Sequence, residues 1–277
     1  MSINTTLMFS GSAGTGTRAE IIKHVFSGGD SQRRIYIQAG LHADEHPGLL
    51  VIQHLLLLLE QAAQANTING TITLVPYANP TGMTQNVLGF WTGRFNLANG
   101  ENFNRHFPDA AEALAQLYAR QSVQQLSPEA QLDQVLSPSP QDDVVRAWKK
   151  ALLREAVQHD VILDLHCDTA GILHCYTNAR YAERAASFAA IMGIEVVLLE
   201  HFAGGGPFDE ACTLGWKWLA EQGVVPASRI PFSVSVELRG QADVSDELAA
   251  EDARRIMHYL RAEGIIKADI PTAPLSR

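Results

Sequence analysis

Short apolar runs alternate with longer helical segments along almost the whole chain, and no other feature constrains the fold as strongly. Five runs have the length and composition of buried strands: 34–40, 69–80, 160–168, 195–200 and 232–238. Six segments have the length and pattern of helices: 47–64, 109–125, 142–159, 181–193, 213–222 and 245–264. This alternation predicts an α/β fold with three α/β/α layers around a mixed, largely parallel, twisted sheet.

Polar residues lie at the ends of four predicted strands, in positions where an apolar run stops abruptly. They are His42, Asn79, His166, Asp168 and Glu237. In open α/β sheets, ligands bind beyond the carboxyl ends of the strands. We therefore expect these side chains to meet at one edge of the sheet and to form a functional site there.

Two of these polar positions, together with Glu45, have the chemistry of a metal site. His42 and Glu45 form an H-x-x-E motif between a strand end and a helix start, and His166 ends a later apolar strand. A catalytic zinc ion takes imidazole and carboxylate ligands from three protein residues and keeps one open position. The pattern predicts one Zn²⁺ per chain held by His42, Glu45 and His166. Taken singly, the motifs also fit a solvated polar turn and a core histidine with a backbone partner.

The string from His42 to His46 also matches H-x-x-E-H, the motif of a different zinc peptidase group. That motif requires both histidines on one face of a helix. Gly40 precedes the string and Pro47 follows it, so the helix is expected to begin after the motif. His46 is therefore not expected to be a ligand.

Glu237 is the candidate general base. It follows Val234 and Val236 in a strand whose alternate residues are apolar, and a carboxylate near a metal can accept a proton from attacking water. Arg94 and Arg105, the latter after Asn104, are further candidates, because a guanidinium can either bind a substrate carboxylate or stabilise an oxyanion. A solvated strand face and solvated loop arginines are the alternative interpretations.

The net charge limits the classes of partner, and the cysteines indicate the compartment. The formal charge of −9, without a long basic run, disfavours nucleic acid and anionic membranes as partners. Three cysteines form no disulfide framework and no C-x-x-C pair, which favours a reducing cytoplasm. Neither a secretory leader nor a membrane span is expected, because the apolar stretch at 48–59 is short and contains Gln53 and His54.

Two further segments carry weaker predictions. The glycine-rich segment 11–16 lacks the G-K-[ST] ending of a phosphate-binding loop and is expected to be an N-terminal loop. The proline-rich segment 127–140 is expected to be an exposed connector. Cys167 is expected to be a small buried residue rather than a nucleophile, and Asp164 is a candidate for orienting a ligand histidine.

As an ordered set, these residues resemble the zinc carboxypeptidase superfamily, and more closely its succinylglutamate desuccinylase/aspartoacylase branch. The order in that branch is H-x-x-E, a loop arginine, Asn-Arg, a histidine at a strand end and a catalytic glutamate. The chain has this order in His42 to Glu45, Arg94, Asn104-Arg105, His166 and Glu237.

The resemblance implies a phosphorylase/hydrolase-like α/β/α fold with one zinc ion. His42, Glu45 and His166 would be the ligands, and Glu237 would activate water. Arg94 would polarise the scissile carbonyl, while Asn104 and Arg105 would hold a substrate carboxylate. The implied reaction is hydrolysis of the amide of an N-acyl amino acid.

The chain also departs from the pattern of that branch. We expect a single catalytic domain over 1–277, with a helical and proline-rich insertion at 109–158 and no clear C-terminal β domain. The insertion is closer to the carboxypeptidases, whose mobile tyrosine has Tyr176 as its nearest candidate here. Cleavage of a C-terminal peptide bond therefore stays open, as do a non-catalytic protein that binds zinc or an acidic ligand, a structural zinc domain and a homo-oligomer.

Overall fold

The computed structural model describes residues 2–120 and 126–267. Its strands are β1 (Ser2–Gly14), β2 (Thr17–Gly28), β3 (Arg34–Ala39), β4 (Gly70–Val75), β5 (Asn86–Val87), β6 (Phe90–Trp91), β7 (Val161–Asp168), β8 (Leu173–Asn178), β9 (Val196–Glu200) and β10 (Phe232–Gly240). Its helices are α1 (Pro47–Gln64), α2 (Ala110–Ala119), α3 (Pro128–Val135), α4 (Val144–Ala156), α5 (Ala182–Met192), α6 (Phe208–Glu221) and α7 (Asp246–Ala262).

Eight strands form one mixed sheet in the order β1-β2-β4-β3-β7-β10-β8-β9. The four central strands β4, β3, β7 and β10 are parallel, whereas β2 and β8 run antiparallel to their inner neighbours. β9 then pairs in parallel with β8 at one edge, and the β1–β2 hairpin forms the other edge. The mixed, largely parallel sheet predicted from the sequence is confirmed.

Helices cover both faces of this sheet and enclose two apolar cores. One core packs α1, α5 and α7 against the sheet and includes Ile52, Phe188 and Ile256. The other packs α2, α3, α4 and α6 against the opposite face and includes Trp148 and Phe208. The three-layer α/β/α arrangement is therefore confirmed, and it leaves the carboxyl ends of β3, β7 and β10 together at one edge.

Polar side chains mark where the helices begin. Asp109 accepts hydrogen bonds from the backbone amides of the first turn of α2, and Ser245 accepts one from Leu248 at the start of α7. Pro47 occupies the first turn of α1, as predicted. The predicted helix 109–125 is observed only as α2, and 121–125 lies outside the described residues.

The prediction of an exposed connector at 127–140 is wrong. Ser127 caps α3 with Pro128 in its first turn, and Leu132 and Leu136 are completely buried. Proline at the first turn of a helix needs no backbone N–H, so it begins this helix instead of breaking it. The proline-rich composition concealed an apolar stripe that packs on α2.

The prediction of an N-terminal loop at 11–16 is also wrong. Gly11 and Gly14 lie in β1, and the turn to β2 uses positive φ at Gly16. β8 was not predicted from the sequence, and α6 begins at Phe208 rather than at the predicted residue 213. Among the described residues, no helix is both long and apolar enough to cross a bilayer.

Candidate metal centre and active site

A tight turn between β3 and α1 positions His42 and Glu45. Gly40 has φ +72° and lies so close to Leu49 that a Cβ atom would be 2.7 Å from its Cδ2 atom, so the turn requires glycine. The Glu45 amide donates to the His42 carbonyl, which holds both side chains on the same side. Asn79 supports this turn because its Nδ2 donates to the Leu41 carbonyl and its Oδ1 accepts from the Gly82 amide.

His42, Glu45 and His166 meet at the carboxyl ends of β3 and β7. Their candidate ligand atoms all lie within 4.8 Å of one another, and all three side chains are buried. The Nδ1 atom of His42 is 2.7 Å from Glu45 Oε1, and that of His166 is 2.9 Å from Glu45 Oε2. His46 lies outside this group: it is exposed, and its ring packs edge-on against Trp91.

The other ring nitrogens of both histidines have acceptors, which determines the tautomer. Asn102 Oδ1 accepts from the Asn104 amide, so the atom 2.8 Å from His42 Nε2 is an oxygen and that nitrogen must donate. His166 Nε2 donates to Asp164 Oδ2 over 2.9 Å. Both Nδ1 atoms can therefore present lone pairs beside the Glu45 carboxylate, a donor set that fits a transition-metal ion.

Buried charged groups lie close together around Glu45 and His166. Burial alone would raise the pKa of Glu45, but the charge of His166 and hydrogen bonds from His166 and His42 hold that pKa well below its usual range. Burial opposes protonation of His166, yet the charges of Asp164 and Glu45 raise its pKa well above the usual value. A bound cation would replace the proton that Glu45 and His166 share.

Arg94 adds a further cationic contact. Its Nη1 atom donates to Glu45 Oε1 over 2.6 Å and lies 3.2 Å from His42 Nδ1. The side chain is 42% exposed. The guanidinium borders a cavity that lies above His42, Glu45 and His166 and is described below.

Glu237 lies beside His42, Glu45 and His166, which we call the metal-type cluster, because of the register between two neighbouring strands. It pairs with His166 across the parallel strands β10 and β7, so the two side chains leave the same face of the sheet. Burial raises the pKa of Glu237, although the charge of His166 opposes this shift. Among the described residues, nothing makes a hydrogen bond to its carboxylate, so the group is available for proton transfer.

A cavity of about 270 Å³ lies above these residues and also contains Asn104, Arg105 and Tyr176. Asn104 Oδ1 accepts from the Phe208 amide, which joins the Asn-Arg segment to the start of α6. The Arg105 side chain is exposed, and Nη1 donates to the Asn104 carbonyl over 2.7 Å. All seven candidate site residues therefore line the cavity or lie directly beneath it.

Cys167 is a buried residue of the cavity wall, and its amide donates to Glu45 Oε2. Burial raises the pKa of its thiol far above the usual value, and the charge of Glu45 adds to this shift. A thiol that stays protonated is not an effective nucleophile.

Three residues of the cavity lining were not predicted from the sequence: Asn102, Glu200 and Asp209. Asn102 had a detectable signal, because an asparagine two residues before Asn104 can form the Asx turn that is observed. Glu200 and Asp209 reach the cavity from β9 and α6, and no local pattern indicates that two acidic residues so placed share one wall.

The chain matches the model of a known protein family. The model of the succinylglutamate desuccinylase/aspartoacylase catalytic domain matches residues 31–263, which include every candidate site residue. A comparison with curated proteins found no match.

Solved structures give further likenesses. A protein assigned as a succinylglutamate desuccinylase/aspartoacylase from Shewanella frigidimarina NCIMB 400 is 29% identical with TM-score 0.80, over 99% of this chain and 75% of that chain. A protein assigned to the same family from Shewanella amazonensis SB2B is 26% identical with TM-score 0.75, over 100% of this chain and 76% of that chain. A metallo-carboxypeptidase from Burkholderia cenocepacia shares the fold, with 16% identity, TM-score 0.54 and coverage of 94% of this chain and 65% of that chain.

Proposed function

The chain belongs to the succinylglutamate desuccinylase/aspartoacylase family, and from this premise we propose that it is a zinc-dependent hydrolase of the amide bond in N-acyl amino acids. The family resemblance inferred from the sequence is thereby confirmed. The metal identity, the roles of the site residues and the substrate are parts of the proposal.

One observation carries the proposal: Glu237 and His166 lie in register on adjacent parallel strands, directly beside His42 and Glu45. A metal-type cluster and an unpaired carboxylate therefore face one cavity. Two imidazole nitrogens and one carboxylate are a usual catalytic zinc set, with one position left open. When bound, zinc polarises a carbonyl and makes water more acidic.

Glu237 moves the proton in the proposed reaction. Its carboxylate accepts a proton from water as the water oxygen bonds to the amide carbon, and later delivers a proton to the nitrogen as the carbon–nitrogen bond breaks. The products are a carboxylic acid and a free amino acid. The raised pKa of Glu237 suits both directions of transfer, because the group can hold the proton between the two steps.

The arginines orient the substrate. Arg105 borders the cavity with an exposed guanidinium and, together with Asn104 Nδ2, is suited to bind the carboxylate of the amino acid. Arg94 contacts Glu45 directly and can turn towards the oxyanion that develops on the carbonyl, since its side chain is 42% exposed.

The size of the cavity favours a small substrate. About 270 Å³ accommodates one amino acid with a short acyl group more readily than an extended peptide. If the chain were a peptidase, it would need to bind, outside this cavity, the residues that precede the cleaved bond. We therefore place an N-acyl amino acid before a C-terminal peptide bond as the substrate.

Zinc content and amide hydrolysis, measured on the same samples of wild type and His166→Ala, test the proposal. We expect about one zinc per chain and turnover of at least one N-acyl amino acid, both lost in the variant. Zinc binding without turnover on a panel of N-acyl amino acids and peptides would instead support a non-catalytic binding protein. A folded protein that takes up no zinc would contradict the proposal entirely.

A further inference from the structure

A small side pocket lies next to the active-site cavity. This side pocket is lined, among others, by Thr177, Glu200, Asp209, Glu210, Thr213 and Ser233. Glu200 and Asp209 border both the side pocket and the main cavity, so the two spaces are adjacent. The side pocket holds about 20 Å³, which is room for one group of the size of a water molecule.

Its lining offers acceptors rather than donors. Three of the residues that border it are carboxylic acids, and none of those that the structure describes is basic. The hydroxyls of Thr177 and Thr213 already donate to the carbonyls of Ser233 and Glu210. A carboxylate group of a substrate would therefore be repelled here, whereas a cation with several N–H donors would be stabilised.

Ser233 provides an observation independent of the acidic residues. It is 3% exposed, and its Oγ atom has no oxygen or nitrogen partner among the residues that the structure describes. The buried thiol of Cys212 interacts with it, but a thiol is a weak partner. A buried hydroxyl without a proper partner is costly, so a ligand that reaches the base of the side pocket would gain this interaction.

Helix chemistry alone does not explain the acidic wall. Asp209 and Glu210 lie in the first turn of α6, where acidic residues are favourable, and Glu210 Oε1 accepts from the Ala203 amide. Glu200, however, comes from the end of β9, a separate element that pairs beside β8. Burial and the charge of Asp164 raise the pKa of Asp209 to about 7, although a backbone hydrogen bond and the charge of His166 oppose this shift.

We propose that this side pocket binds a primary ammonium group, and that the substrate is an N-acyl amino acid whose side chain ends in such a group. The inference rests on the proposed amide hydrolysis and deepens it. Arg105 would hold the substrate carboxylate in the main cavity, while Glu200, Asp209 and the Ser233 hydroxyl would accept from the ammonium group. An ammonium group is similar in size to water, and it presents three donors to these acceptors.

Matched substrates test this specificity on the zinc-loaded full chain. Nα-acetyl-L-ornithine and Nα-acetyl-L-norleucine have side chains of equal length that end in ammonium and methyl, and Nα-acetyl-L-glutamate carries the opposite charge. We expect kcat/KM for the ornithine derivative to be at least about tenfold higher than kcat/KM for the norleucine derivative. The ratio of kcat/KM between the ornithine and the glutamate derivatives should be larger still. Equal rates, or a preference for glutamate, would overturn the proposal.

Two variants assign the preference to the side pocket. Glu200→Gln and Asp209→Asn should each reduce the ornithine-to-norleucine ratio of kcat/KM by about tenfold. Glu221→Gln removes the same charge from an exposed position at the end of α6 and should leave the ratio unchanged. A ratio that survives both side-pocket substitutions would contradict the assignment.

Calorimetry separates this inference from the amide hydrolysis itself. The zinc-loaded protein is titrated with free L-ornithine, L-norleucine and L-glutamate, so that neither the acyl group nor turnover matters. Tighter binding of ornithine, lost in Glu200→Gln, would support the side pocket even if no amide is hydrolysed. Binding of glutamate in preference to ornithine would refute it even if hydrolysis is observed.

Discussion

Asp164 Oδ2 lies 2.9 Å from His166 Nε2, two residues further along β7 on the same face of the strand. The other oxygen, Oδ1, accepts from Gln38 Nε2, and Gln38 Oε1 in turn accepts from the Tyr36 hydroxyl. Asp164 and Gln38 are completely buried. This chain of hydrogen bonds fixes the orientation of His166 and leaves Nδ1 directed at Glu45.

Asp164→Asn should weaken zinc binding by about 10- to 100-fold, the usual cost of losing such a supporting contact. If the new amide oxygen keeps the bond from Gln38, its NH₂ group faces His166 Nε2. The ring proton then moves to Nδ1, which can no longer bind a metal. Zinc affinity measured by competition with a chromogenic chelator checks this.

The control for Asp164→Asn is Asp30→Asn, which makes the same chemical change at an exposed position. It should bind zinc as the wild type does. An Asp164→Asn protein with wild-type zinc affinity would mean that the hydrogen bond does not determine the His166 tautomer.

Glu237→Gln should keep the metal and lose the reaction. The substitution preserves the shape of the side chain but removes its ability to accept a proton, so kcat should fall by about 10²- to 10⁴-fold. Zinc content and kcat are measured on the same preparation, with the exposed Glu60→Gln as control. Activity within a few-fold of wild type would exclude Glu237 as the base, and loss of zinc would give it a role as ligand instead.

The central sheet and the metal-type cluster could be predicted because their signals are local. A polar residue at the end of an apolar strand is visible in the sequence, and parallel strands bring such ends together. His42 and His166 were identified in this way, and Glu45 by its H-x-x-E spacing from His42; the structure brings the candidate ligand atoms of all three within 4.8 Å of one another. Asp164 was also recognised as a possible partner of a histidine, and its contact with His166 bears this out.

What was missed depends on long-range packing. α3 was not predicted because the three prolines of segment 127–140 resemble helix breakers, whereas the structure shows Leu132 buried in the core beside α2. β8 mixes polar and apolar residues, since His174 and Tyr176 face the site side of the sheet next to Glu237 and Ser235. The acidic wall joins Glu200 with residues of α6, and only the tertiary fold brings these together.

His159 should make the stability of the protein depend on pH. Burial, despite the charge of Glu155, lowers its pKa to about 4, and its ring nitrogens contact the Glu155 carbonyl and the Thr73 hydroxyl. Below pH 6.5 the unfolded chain gains a proton that the folded protein cannot bind until about pH 4. Stability is therefore lost as pH falls through this window, by about 2 kcal/mol between pH 7 and pH 5.

Urea denaturation at pH 7 and pH 5, with excess chelator to remove any metal contribution, measures this loss. His159→Gln has no titrating ring, so the difference between the two pH values should shrink by about 2 kcal/mol relative to wild type. The exposed His258→Gln should behave as wild type. If His159→Gln keeps the full pH dependence, other groups account for it.

Lys149 should position Arg105 without touching the substrate. Its Nζ atom donates to the Arg105 carbonyl over 2.7 Å, and the side chain is almost completely buried in α4. Burial lowers its pKa to about 8, so the buried amine depends on this contact. Lys149→Met keeps the apolar stem but frees the carbonyl, and KM should rise by about five- to tenfold with zinc content unchanged.

Lys150→Met, at the next position of α4, breaks only a contact with Asp142 and should leave KM unaltered. Steady-state kinetics on the two variants decide the point: if KM is the same in both, Lys149 does not position Arg105 for substrate binding.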